Sequence, residues 1–544
     1  MASDYRISRR SQDTRGLVVD RPEWSVDTTS YVVAKNVRFS ENTVEMVRGT
    51  VPYSNLADQG SGSGTGSGGD EECANPPSVA TISLAPVTSL DDPVVTASGV
   101  INLITRARFW DGSEQAIIGT NQFLYRISDT GSLIPINASQ FNAPPEIVWE
   151  TANLLNEYYF TNGLNQIQRW AGGFSATLNL TGTPPRSTHI SEFENHLVLG
   201  RLVVPATGNS PLAFAGSGLG NPIDWDTTDP DSDAIIELVP EGSDPVKKVI
   251  RLGNHLAIYK EFSIHLLTYI GLPFVYERSQ LVPWMGTVAS GSVVPVADTH
   301  YFIGQDNIYK LTTTGIKDIG TAVWPLFDKM ILPEFRQRIV GFHHIKQQEI
   351  IWGFRSVAGG GLPDLALVYN YRYDSFSMRD FPYSAAGYIK PVLAISDIWD
   401  TDTQEWDLDF STWDEGSSNL SDLIAMVGDE NGNLSLFEEP NIESDFPSEL
   451  ESGDWDGGDE NRIKIIRGLK VDIKALTGSA LKISIGERNS LDDSILWNGP
   501  VDYTGGGEVD LIAKGRWLRF KFEKEDGHYL MGSYTPIWKF AGNY

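Results

Sequence analysis

Residues 300–311 read HYFIGQDNIYKL: a short apolar strand, a turn rich in Gly, Asp and Asn, then a second strand carrying an aromatic. Apolar and polar positions alternate on both sides of the turn, which marks strands with one buried face. The same unit recurs in both directions along the chain. Upstream it reads HLAIYKEFSIHLLTY from His255, YYFTNGLNQIQRW over Tyr158–Trp170 and AIIGTNQFLYRI over Ala116–Ile127. Downstream it reads LIAMVGDENGNLSLF over Leu423–Phe437, where Asn431-Gly432 supplies the pair that a two-residue hairpin turn prefers. Less regular hairpins fill the gaps, HLVLGRLVV at 196–204 and the pair EIIWGFRS and LALVYNYR around 349–372.

The repeat has a length. Gly119 and Gly163 lie 44 residues apart, and so do Lys260 and Gly304. Hairpins at roughly 40–50 residues have the spacing of β-propeller blades, each a four-stranded sheet. One such sheet cannot cover both of its faces, whereas closure into a ring lets each blade cover the next. The expectation is an all-β chain with a propeller of about six blades, seven being the other count the spacing allows, over residues 31–455. A large β-sandwich is the competing architecture, because the period is imperfect.

Beyond the acidic stretch at about 441–460 the texture changes. RIKIIRGLKVDIKA, LKISIGE and EVDLIAKGRWLRFKFE follow between Arg462 and Glu523, and IWKFAGNY closes the chain. These alternating runs predict a separate, sandwich-like antiparallel β-domain over 460–544. Residues 59–98 read as a flexible insertion that opens on the Gly/Ser tract QGSGSGTGSGG. Residues 1–30 read as an N-terminal arm. Its Arg6, Arg9, Arg10 and Arg15 are the one candidate interaction site, either a solvated terminus or an arm reaching an acidic neighbour.

Composition narrows the function. The chain has 71 Asp and Glu against 42 Lys and Arg, a formal charge of −29. Such a surface repels phosphate, so tight DNA binding is not expected, while a wall that lets DNA slide past is compatible. Cys73 is the only cysteine, which leaves no intrachain disulfide and no cysteine cluster for zinc. The opening MASDYRISRRSQDTRG has no apolar stretch behind its basic residues, and no run reaches the roughly 18 apolar residues of a membrane span. A soluble protein is expected.

No motif for chemistry emerges. G-x-S-x-G and H-E-x-x-H are both missing. His343 and His344 are adjacent, and on a strand neighbouring side chains point to opposite faces, so they are poorly placed to share a metal. The acidic run Asp224–Asp233 lacks the Gly that shapes a calcium loop, and Asp429-x-Asn431-x-Asn433 is better explained as a hairpin turn. Gly216-x-Gly218-x-Gly220 is followed by Pro222, which interrupts the helix a phosphate cradle needs. No pair of carboxylates is singled out for glycoside hydrolysis. The expectation is a protein without catalytic residues, metal or cofactor.

Several stretches together resemble a known family. They are NVRFSENTVEMVRG at Asn36–Gly49, RLGNHLAIYKEFSIHLLTYIG at Arg251–Gly271 and WMGTVASGSVVPVADTHYFIGQDNIYKL at Trp284–Leu311. HHIKQQEIIWGF and LALVYNYRYDSFSMRDFP follow, then GRWLRFKFE at Gly515–Glu523. In this order they resemble the tail hub, or nozzle, proteins of short-tailed bacteriophages, also called packaged-DNA stabilisation proteins. The resemblance implies a structural virion protein, assembled in the host cytoplasm into a ring, commonly a hexamer, below the portal and its adaptor. It implies as partners the adaptor, tail fibres or spikes, and packaged DNA that passes the channel without tight binding, with no membrane in the virion. The Gly/Ser tract and the acidic inserts depart from the family pattern. A carbohydrate-active or receptor-binding tail propeller is the alternative reading.

Overall fold

The fold is taken from a computed structural model, which describes residues 6–7, 10–11, 16–26, 30–40, 43–53, 96–128, 131–204, 208–359, 363–390, 423–438, 444, 446–503 and 505–541. Among the described residues, seven four-stranded antiparallel units succeed one another along the chain. We number them blade 1 (101–135), blade 2 (150–179), blade 3 (186–238), blade 4 (248–282), blade 5 (294–318), blade 6 (340–380) and blade 7 (385–437). The fold is therefore a β-propeller, and its seven blades are the higher of the two counts that the spacing left open. Blade 7 hid the count because it is assembled from two distant parts of the chain. Its outer strand is Thr50–Pro52, which pairs with Leu434–Phe437 through Val51 opposite Leu436.

Seven apolar clusters show that the ring closes, since each is shared by consecutive blades. Phe109 and Trp170 meet between blades 1 and 2, Tyr159 and Leu199 between blades 2 and 3, and Phe214 and Leu256 between blades 3 and 4. Tyr259 and Phe302 join blades 4 and 5, Tyr301 and Trp352 join blades 5 and 6, and Phe342 and Val427 join blades 6 and 7. Ile101 and Met426 then join blade 7 back to blade 1. Each fully buried side chain of this size contributes roughly 1.5–3 kcal/mol. Directional bonds fix the register of neighbouring blades: Trp149 Nε1 donates to the Thr120 carbonyl at 2.8 Å, and Trp352 Nε1 to the Ser292 carbonyl at 2.8 Å. His300 bridges blades 4 and 5, its Nε2 2.8 Å from the Arg251 carbonyl and its Nδ1 2.8 Å from the Tyr259 hydroxyl.

The C-terminal strands form a two-sheet sandwich, and here the expected boundaries change. One sheet holds Val37–Ser40, Thr43–Met46, Lys464–Thr477, Glu508–Gly515 and His528–Phe540. The other holds Ser30–Lys35, Ser448–Ser452, Leu481–Arg488, Leu496–Tyr503 and Trp517–Lys524. Glu508–Gly515 alternates exposed and buried residues along its whole length, as a half-covered strand must. The domain is not separate: through Gly16–Leu17 and Ser30–Lys35 its second sheet continues into the outer strand of blade 6. Gly16 has φ +74°, and a Cβ there would lie 2.7 Å from the Phe376 carbonyl, so the junction needs glycine.

Residues 31–40 and 43–46, expected in the propeller, thus belong to the sandwich. Part of the expected arm is also a strand, with Arg6 opposite Trp538 and Arg10 opposite Tyr534. These pairings join residues hundreds of positions apart, which local periodicity cannot register. Among the described residues no helix is long and apolar enough to cross a membrane.

Candidate functional site

The first strands of the blades line the propeller axis, and at their starting ends they enclose a cavity of about 230 Å³. Asn102 of blade 1, Glu150 of blade 2, Lys248 of blade 4, Gly341 of blade 6 and Ala385 of blade 7 all reach it. A helix, Trp324–Met330, and a 3-10 turn, Pro333–Arg338, connect blades 5 and 6, and the turn brings Phe335, Gln337 and Arg338 to the cavity wall.

Charge is arranged unevenly there. Lys248 Nζ lies 2.7 Å from Glu150 Oε1, and His189 Nδ1 lies 3.0 Å from the same oxygen. Burial opposes ionisation of Glu150, but Lys248 and His189 outweigh it and hold the carboxyl at about 2. Near the mouth, Arg338 Nη2 lies 3.6 Å from Glu146 Oε1, and both side chains are substantially exposed. The guanidinium carbons of Arg338 and Arg355 lie 4.9 and 4.1 Å from the Phe335 ring centre. Asn102 donates through Nδ2 to the Ile147 carbonyl, while its buried Oδ1 has no hydrogen-bond partner.

A second cluster lies where the propeller meets the sandwich. Arg38 Nε donates to Glu349 Oε1 at 2.6 Å, and Arg38 Nη2 to Glu438 Oε2 at 2.5 Å. Arg379 Nη2 donates to Glu349 Oε2 at 3.2 Å, and its Nη1 forms an ion pair with Glu438 Oε1 at 2.5 Å. His344 Nδ1 is 3.8 Å from Glu438 Oε2. Burial disfavours the charged form of Glu438, yet Arg379 and Arg38 hold its carboxyl at about 2, whereas burial pulls the His344 imidazole down to about 4. His344, Glu349 and Glu438 are the one set of three potential metal ligands grouped among the described residues. Two guanidiniums already neutralise the two carboxylates, so a cation placed there would meet their repulsion. The arrangement suits a clasp between the sandwich strand Val37–Ser40 and blades 6 and 7.

Large aromatic side chains stand out on hairpin tips. Trp110, Phe174 and Phe274 are 77%, 89% and 71% exposed. They sit in turns after first or third strands, so they share the end of the propeller opposite the cavity. Trp284, 70% exposed, follows the last strand of blade 4 and lies at the cavity end.

The residues singled out from sequence fall elsewhere. His343 Nε2 faces the Tyr371 hydroxyl at 3.2 Å, on the opposite side of its strand from His344. Asp429 Oδ1 accepts from the backbone N–H of Asn431 and of Asn433, both at 2.8 Å, which makes that stretch a hairpin turn. In the Asp224–Asp233 run, Asp224 accepts from Ser232 and Asp226 from Thr228, within the loop itself. The backbones of Arg6 and Arg10 lie along the final strand, and Arg9, Arg15, Cys73 and residues 59–95 are outside the described residues. Neither the axial cavity nor the buried clasp was anticipated. Their members are scattered between residues 38 and 438, and only the closed ring brings them together.

No protein-family model matches the chain, and no curated protein does. Among solved structures it is similar to the WD40 domain of Neurospora crassa Pan2, at 7% identity and TM-score 0.35, covering 63% of this chain and 90% of that one. It is similar to a structure described as YCF48 bound to D1 peptide, at 10% identity and TM-score 0.34, covering 64% and 94%. A catalytically inactive virginiamycin B lyase from Staphylococcus aureus matches at 10% identity and TM-score 0.35, covering 64% and 98%. Likeness at this level says nothing about activity or partners.

Proposed function

We propose that this chain is a structural subunit of a short-tailed phage tail, a nozzle or hub that assembles into a ring below the portal and adaptor. The reading rests on the family resemblance, and one observation supports it most. Asn36–Gly49 and Gly515–Glu523, two of the resembling stretches from opposite ends of the chain, contribute strands to one sandwich. That sandwich is continuous with blade 6, which holds a third stretch, HHIKQQEIIWGF. A body made this way offers two rigidly joined surfaces to neighbours, as a closed ring of identical subunits requires.

The mechanism is geometric and electrostatic. A formal charge of −29 per subunit, repeated around a ring, lets DNA pass without holding it. The exposed tips Trp110, Phe174 and Phe274 suit the docking of fibres or spikes, because buried aromatic anchors dominate interface energies. No step of this role needs a bond to be made or broken.

Native mass spectrometry and cryo-electron microscopy of the chain with its tail neighbours test the reading. A ring at a multiple of the 60.0 kDa chain mass is expected. A chain that stays monomeric beside its neighbours would sink the proposal. The same exposed aromatics favour the second reading, a carbohydrate-active or receptor-binding tail propeller. Depolymerisation of host glycan by the purified chain would decide for that one.

A further inference from the structure

Two lysines of blade 5 stand side by side without a carboxylate partner among the described residues. Lys310 in the third strand and Lys317 in the outer strand are directly opposite in register, so their side chains share one face of the blade. Like charges in this arrangement repel each other. A neighbouring carboxylate would be the ordinary remedy in a chain with 71 acidic residues. Asp318 does not supply it, because it follows Lys317 directly and so points to the other face, opposite Tyr309. Lys317 is exposed; Lys310 is half-buried, with its Nζ 5.7 Å from the Tyr301 ring centre.

The lysine face lines a groove of about 560 Å³ between blades 5 and 6, a size within the range of small-molecule sites. The groove lies beside the turns that follow the third strands, at the same end of the propeller as Trp110, Phe174 and Phe274. Blade 5 adds the Thr312 and Thr314 hydroxyls, whose oxygens are 2.9 Å apart. Blade 6 supplies Tyr369, Tyr371 and Asp374. Tyr371 stacks on Tyr301 with ring centres 6.2 Å apart. The Tyr369 hydroxyl donates to Asp374 Oδ1 at 2.8 Å, which leaves Oδ2 of this exposed carboxylate to accept from a ligand.

These groups together narrow the ligand class. The lysine pair calls for an oxyanion, which bridges the two ammoniums and relieves their repulsion. Asp374 argues against a chain of phosphates, since a carboxylate in the same groove repels each further negative charge. That carboxylate accepts from sugar hydroxyls, however, and so can the threonines. A tyrosine ring suits the C–H face of a pyranose. An acidic sugar meets every one of these demands.

We propose that the groove between blades 5 and 6 binds a uronic-acid residue of a glycan. Its carboxylate meets Lys310 and Lys317, its hydroxyls meet Asp374 and Thr314, and its ring packs against Tyr371. One chain supplies all of these residues, so the site does not depend on ring formation, and its failure would leave the ring proposal untouched.

Isothermal titration calorimetry with the full chain tests it. The probes are trigalacturonic acid, its neutral methyl ester, inorganic phosphate and a short single-stranded oligothymidylate. Saturable binding of the acid is expected, with a Kd of about 1 mM or tighter, and the other three should bind about tenfold more weakly or not at all. The double variant Lys310→Gln, Lys317→Gln should weaken the acid about tenfold or more by losing both charge-assisted contacts. Its unfolding temperature should be unchanged or raised, because a repulsion has gone. Thr314→Trp, which fills the groove from an exposed turn without removing a charge, should weaken the acid as well. No saturable binding of the acid, or affinity untouched by these variants, would overturn the proposal. Equally tight binding of the ester, of phosphate or of the oligothymidylate would overturn it too, by showing a site that does not read an acidic sugar.

Discussion

Arg38 Nη2 lies 2.5 Å from Glu438 Oε2, across 400 residues of chain, and the same guanidinium holds Glu349. Burial alone would make an arginine easier to deprotonate, but Glu349 and Glu438 overcome that and raise Arg38 well above its ordinary value. Without Arg38 the two buried carboxylates share the single guanidinium of Arg379, which leaves one negative charge in excess, at about 3–5 kcal/mol. Arg38→Met should lower stability by that amount in urea unfolding. A loss below about 1 kcal/mol, the range of exposed ion pairs, would contradict the clasp.

Ring closure has its own test at Gly387 in the first strand of blade 7. A Cβ at this position would lie 2.2 Å from the Ile104 carbonyl of blade 1, and backbone cannot step aside as a flexible side chain can. Gly387→Ala should destabilise by about 1–3 kcal/mol or more through overpacking. Alanine would otherwise favour the folded chain by restricting the unfolded one, so the sign itself discriminates. A stabilised variant in thermal unfolding would mean that blades 7 and 1 do not touch there.

The hairpin repeat was legible because each unit carries its own alternation and turn residues, as Asp429–Asn433 illustrates. What escaped was pairing between distant segments. Val51 closes blade 7 beside Leu436, yet its tripeptide has no periodicity of its own. Arg38 is an unremarked polar residue within Asn36–Gly49, and nothing near it in sequence announces Glu349 or Glu438. The cavity is less legible still, since Asn102, Lys248 and Arg338 converge only through the curvature of the ring.

Lys260 is fully buried at the link between blades 3 and 4. Its Nζ donates to the carbonyls of Val239, Glu241 and Gly242 at 2.9, 2.5 and 3.2 Å, and lies 3.5 Å from Asp244 Oδ1. Every ammonium proton is thereby used. Lys260→Met keeps most of the volume but strands three carbonyls and leaves Asp244, still held by the Glu261 and Phe262 N–H groups, without its cation, so about 3–5 kcal/mol should be lost. Hydrogen exchange should show residues 239–244 opening first; unchanged protection there would argue that the lysine packs without holding the loop.

Acid should weaken the fold in two stages. Burial draws His265, His300 and His344 down to about 4, from about 6.5 for a free imidazole. Between those pH values the unfolded chain binds protons that the folded chain refuses, so stability falls as pH drops from about 6.5 to about 4. Glu150 and Glu438, held at about 2, add a second decline as pH falls below about 4.5, where unfolded carboxyls begin to protonate. For the deeply buried His344 the first stage is worth on the order of 3 kcal/mol. Urea unfolding of wild type and His344→Gln at pH 7, 5.5 and 4.5 (values chosen to span about one ordinary imidazole titration) isolates its share. The variant should lose less stability on acidification, by nearly one proton in the slope. An identical slope would show that His344 takes up its proton equally well in the folded protein.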